Sequence, residues 1–204
     1  MDQKHQEDLS HIRSMMERSS RFISLSGLSG VFAGVFALAG AIYVHQLFEN
    51  NGIDYFDARQ KPFSCDVIVE ITFVALAILI LALLSGVFFS WRKSKKFNLP
   101  VWTNTTKKML VNLAIPLFVG GVFCVALLYH QLYALIAPTT LLFYGLALIN
   151  AEKYTFSDIK YLGICEIILG CISLFYVGYG LVFWAIGFGI LHILYGLIVF
   201  KKYK

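Results

Sequence analysis

The apolar positions of this chain fall in long unbroken runs, and the polar and basic positions collect in the gaps between them. A helix needs about 20 largely apolar residues to cross a hydrocarbon core about 30 Å thick. Only helices and closed barrels satisfy the backbone there, and continuous rather than alternating runs select helices. Six spans are expected, near residues 22–46, 66–90, 109–129, 132–149, 161–177 and 181–200. The expected fold is an all-α integral membrane protein, a six-transmembrane-helix bundle with no room for a separate soluble domain.

The connections refine this plan. His130-Gln131 and Gly178-Tyr179-Gly180 are so short that they force the third and fourth spans, and the fifth and sixth, into antiparallel hairpins. His45-Gln46-Leu47-Phe48 is echoed by His130-Gln131-Leu132-Tyr133, and Phe143-Tyr144-Gly145-Leu146 by Leu194-Tyr195-Gly196-Leu197. Three helical hairpins in one orientation follow, chance similarity of apolar sequence being the alternative. Asn51-Gly52 signals a turn in the acidic first outer loop. Residues 1–21 read as a cytoplasmic lead-in, amphipathic through Ile12, Met15, Met16 and Ser19, or else merely solvated. Residues 22–200 form the transmembrane domain and 201–204 a basic tail. Ala37-Leu38-Ala39 has the look of a signal-cleavage site. Against cleavage, Asp2, Glu7, Asp8 and Glu17 precede it, and the apolar run continues through Val44.

Composition agrees with the runs. Of 204 residues, 58% are apolar and only 14% charged, against about 25% charged in ordinary soluble domains; mean hydropathy is +0.72. Of the 17 basic residues, only Arg59 and Lys61 fall on the far side of the six-span plan. Basic loops stay cytoplasmic, so both termini are expected inside, in a cytoplasmic (inner) membrane. The net charge of +5 then needs no nucleic acid. The cluster Arg92, Lys93, Lys95 and Lys96 suits an anionic inner leaflet, at about 1 kcal/mol per basic residue.

Ionisable residues inside a bilayer are costly and usually face protein or water, which singles out Glu166 and His192. Gly163, Glu166, Gly170 and Ser173 form one small, polar stripe on the fifth span. Ala185, Gly189, His192 and Gly196 form a small stripe on the sixth. Glu166 lies about 9 Å along the helix from Lys160 and His192 about 13.5 Å from Lys201, at about 1.5 Å per residue. The two are therefore expected to face each other across the last hairpin, as a proton-responsive or solute-coordinating pair, or as interhelical glue. Ser26, Gly30, Gly34 and Ala37 give the first span a close-packing face, used within the bundle or in a homo-oligomer. Pro116 with Gly120-Gly121 marks a kink in the third span, where Asn112 is another intramembrane polar group.

At the outer face, His45, Asp66, Glu70 and His130 make a polar vestibule. Two imidazoles and two carboxylates are also weak candidates for a divalent metal site and, through it, an intramembrane hydrolase. Cys124, Cys165 and Cys171 read as buried free thiols, without metal-type spacing. Trp91, Trp102, Trp184 and several tyrosines fit interfacial belts. No nucleotide, haem or flavin motif is present, so no cofactor is assigned.

Tyr161-Leu162-Gly163 through Glu166-Ile167, then Phe183-Trp184-Ala185-Ile186-Gly187-Phe188-Gly189 and His192, resembles a group of uncharacterised small bacterial six-helix membrane proteins. The likeness covers mainly the last two spans and brings no assigned activity. More distantly, the three-hairpin plan is similar to acid-resistance membrane proteins built from repeated helix pairs, which implies a role in membrane stress. The leading expectation is a non-enzymatic polytopic protein concerned with proton-linked sensing or small-solute passage. The alternatives are a structural or membrane-stress interaction module and the metal-dependent hydrolase.

Overall fold

The computed structural model describes residues 26–53, 63–96 and 100–202. The lead-in, the start of the first span, Arg59, Lys61 and the last two residues lie outside the described residues. Among the described residues there is no strand. The helices are α1 (Gly27–Asn50), α2 (Cys65–Lys96), α3 (Asn104–Tyr129), α4 (Tyr133–Tyr154, with 3₁₀ turns at both ends), α5 (Ile159–Phe175) and α6 (Val177–Lys202). All but α5, which has 17 residues, are long and apolar enough to cross a membrane. Such helices are the mark of a multi-pass membrane protein.

Local chemistry sets the helix ends. A capping box starts α3: the Thr106 amide donates to Thr103 Oγ1 at 3.1 Å, and the Thr103 amide to Thr106 Oγ1 at 3.4 Å. The turn after α1 falls at Asn51-Gly52, where Gly52 takes the left-handed conformation, φ 63°. Helix α2 runs to Lys96, several residues past the expected end of the second span. Its 32 residues rise about 48 Å, so Arg92, Lys93, Lys95 and Lys96 occupy its final turns rather than a loop. Cations there complement the exposed carbonyls of a helix C-terminus.

Helix α3 continues through Pro116. Proline has no N–H to give the carbonyl four residues earlier, here that of Asn112. The side chain of Asn150 on α4 takes the role, its Nδ2 donating to the Asn112 carbonyl at 2.8 Å. A neighbouring helix thus satisfies the acceptor that the proline leaves open.

Packing departs from the expected three hairpins. Helices α1 and α2 are neighbours, as are α3 and α4, but the chief partner of α6 is α1 and that of α5 is α4. The small stripes of α5 and α6 therefore do not chiefly meet each other. Gly34 of α1 sits so close to α6 that a Cβ would lie 2.6 Å from the Gly189 carbonyl, and Gly30 lies against Gly196 and the His192 carbonyl. In the same way Gly145 of α4 lies against the Gly163 carbonyl, and Gly170 packs on Leu142. Small residues permit this approach. Gly27, at the start of α1, also lies against the α6 backbone at Gly196 and Phe200, and the Ser26 carbonyl accepts from the Ser29 hydroxyl.

Helices α2, α1 and α6 thus form one group and α3, α4 and α5 another, joined where α6 meets α4 and α5. At one end of this seam Lys202 donates to both Asp158 carboxylate oxygens, at 2.8 and 2.9 Å.

Candidate functional site: a buried carboxyl–imidazole–phenol cluster

On α5, Ile164, Cys165, Ile168, Cys171 and Ile172 face outward, while Leu162, Gly163, Glu166, Gly170 and Ser173 face inward. Glu166 and Ser173 are fully buried. The room for the Glu166 carboxyl comes from Gly187 on α6, where a Cβ would stand 2.5 Å from Glu166 Oε2 and from a Leu141 methyl.

Helix α6 widens here into a π-helical segment, Ala185–Leu191. Such segments are rare and often mark functional sites. His192 follows it directly, 5% exposed. Its Nδ1 lies 3.0 Å from the Gly187 carbonyl and 3.4 Å from Glu166 Oε1. Its Nε2 lies 2.8 Å from the hydroxyl of Tyr144 on α4. The ring stacks against Phe188, centroids 5.8 Å apart, and Phe188 in turn meets Tyr144 and Trp184 at 5.0 Å each.

The donor pattern follows from these partners. A carbonyl only accepts, so Nδ1 carries hydrogen toward Gly187 and Glu166, and Nε2 accepts from the Tyr144 hydroxyl. Neither carboxyl oxygen of Glu166 has a hydrogen-bond partner, nor has Ser173 Oγ. A buried carboxylate with so little donor support is costly, and one proton added to the Glu166–His192 pair removes its charge without moving a heavy atom. The cluster thus brings a carboxyl group, an imidazole and a phenol from three helices together inside the bundle.

The outer residues do not come together. His45 Nε2 lies 3.6 Å from Glu49, one turn along its own helix. Glu70 accepts from the Tyr43 hydroxyl at 2.5 Å. Asp66 and Glu70 line an open groove of about 500 Å³ with Tyr43, Val69 and Phe73. His130 caps the end of α3, which packs on α4, and lies edge-on to Tyr129. Among the described residues no three His, Cys, Asp or Glu side chains gather as a metal would require.

One further expectation is corrected: Cys165 and Cys171 are exposed rather than buried, because α5 turns both outward, and Cys124 is half-buried. Cys65, at the start of α2, is exposed as well.

Tyr144 and Gly187 escaped the sequence reading as members of the cluster. The available signal was position: Tyr144 falls in mid-span, away from the interfaces where membrane tyrosines concentrate. Gly187 lay two residues from Gly189, outside the stripe of Ala185, Gly189, His192 and Gly196 that the helical spacing picked out.

Comparison with protein-family models, with curated proteins and with solved structures gives no match for this chain.

Proposed function

We propose that this chain is a six-span protein of a cytoplasmic membrane, with both termini inside, that binds and releases a proton at the Glu166–His192 pair. It works without catalysis, in proton-linked sensing or small-solute passage. The observation carrying this reading is the burial of Glu166, without a hydrogen-bond partner, 3.4 Å from His192. Intramembrane ionisable residues mark proton and solute pathways.

Helix α5 supplies the fifth span and brings the number to six: its 17 residues rise about 26 Å, within the mismatch a bilayer absorbs by thinning. The one-sided distribution of Lys and Arg supports the orientation, and the basic end of α2 meets the anionic leaflet. One transmembrane domain, 22–200, lies between the lead-in and the tail. Membership of the resembled six-helix family belongs to the same proposal.

The rival reading is a structural or membrane-stress module, favoured by the glycine-lined seams between α1 and α6 and between α4 and α5. Fluorescence separates the two. In protein reconstituted in liposomes, with Trp91 and Trp102 replaced by Phe, Trp184 reports on Phe188 and His192. The proposal expects a pH-dependent emission change that Glu166→Gln abolishes. The same titration in both proteins would leave the structural reading.

A further inference from the structure

The two nitrogens of His192 face partners on different helices: Glu166 of α5 at Nδ1 and Tyr144 of α4 at Nε2. Glu166 is fully buried, and Gly187 and Leu141 close over its second oxygen. Tyr144, part-buried, is the least enclosed of the three residues. Among the described residues Tyr195, from α6, is a further titratable group close by, packed like Tyr144 on Leu148, Ile159 and Leu162. Helix α1, packed on the other side of the π segment, meets it with Gly34 and Leu38, neither of them titratable.

We infer that Glu166 gains and loses its proton through the His192 ring, with Tyr144 as the hydroxyl on the exchanging side. The inference rests on the proton-binding reading above and adds the route. In the empty state Nδ1–H points to Gly187 and the Glu166 carboxylate, while Nε2 accepts from Tyr144. On loading, Nε2 takes the hydroxyl proton of Tyr144 and the phenolic oxygen takes one from a hydronium ion, which is left as water. Nδ1 then passes its proton to Glu166 Oε1. The loaded state has Glu166 O–H donating to Nδ1 and Nε2–H donating to the Tyr144 oxygen. One proton has moved from hydronium to the carboxyl group, every O–H or N–H broken is matched by one formed, and release reverses the order. The Gly187 carbonyl, which can only accept, favours the Nδ1–H ring and so opposes the loaded state.

Two measurements test the route. In bilayer-reconstituted protein, ¹⁵N NMR of the histidine resonance lost in His192→Gln is expected to report Nδ1–H at alkaline pH and Nε2–H at acid pH. An Nδ1–H ring at both extremes overturns the relay. In stopped-flow proton uptake, Tyr144→Phe keeps the aromatic packing and removes the hydroxyl. It is expected to reach the wild-type amplitude on the order of 100-fold more slowly, at the low end of what a positioned proton-transfer group supplies. Uptake at the wild-type rate overturns the relay and leaves the proton site standing. Equal uptake amplitudes in wild type and Glu166→Gln overturn the site itself.

Discussion

Asn150 donates to the carbonyl of Asn112 across the contact between α4 and α3, and Asn112 is the residue whose carbonyl Pro116 leaves without a helical donor. This one bond links a proline in one helix to an amide in another, which gives a sharp test of coupling. Asn150→Leu is expected to destabilise the protein by about 1 kcal/mol, within the range of interhelical hydrogen bonds in membranes. In a Pro116→Ala background α3 supplies its own donor, and the same substitution is expected to cost near zero. Denaturant titration of the four proteins in micelles measures the difference, and equal losses in both backgrounds would rule out the link.

Gly187 leaves the notch that the Glu166 carboxyl fills. Gly187→Ala is expected to cost about 1–3 kcal/mol through overpacking, and to shift the pH response of Trp184 because the carboxyl must move. Gly121→Ala, where nothing lies within 4 Å, serves as the control and is expected to leave both unchanged. Thermal unfolding and the fluorescence titration check the pair.

Gly145 and Gly34 face backbone as well as a side chain: a Cβ on either would lie 2.6 Å from a carbonyl oxygen and 2.7 Å from an isoleucine Cγ1 of the opposing helix. Gly145→Ala and Gly34→Ala are therefore expected to be at least as destabilising as Gly187→Ala, because backbone yields less readily than a carboxyl group. Since the two sites lie on separate helix pairs, their losses are expected to add.

The helices were legible because their apolar runs are long and continuous, and Glu166 and His192 stood out because an ionisable group within such a run has few neutral explanations. Helix ends were less so. Helix α2 outruns its apolar stretch since Arg and Lys are good helix formers and the helix gains by placing them at its carbonyl end. Partner choice was hidden: the glycine stripes of α1, α4, α5 and α6 are chemically alike, and spacing alone does not say that Gly34 meets Gly189 while Gly145 meets Gly163. The π segment, too, carries no periodicity distinct from an ordinary helix. It was therefore invisible as the device that turns His192 toward Gly187 and Tyr144.

The proposed orientation is open to labelling in intact cells. Cys65, exposed at the start of α2, is expected to react with a membrane-impermeant thiol reagent from outside when the other cysteines are replaced by Ser. A Lys201→Cys variant lacking native cysteines is expected to react only after permeabilisation. The reverse pattern would invert the topology.

The central claim is that Glu166 changes its protonation state inside the folded bundle. Infrared difference spectroscopy of the reconstituted protein, acid minus alkaline, observes this through the C=O stretch of a protonated carboxyl group. The expected result is a carboxyl band in the wild type that is missing from Glu166→Gln. Identical difference spectra from the two proteins would contradict the account.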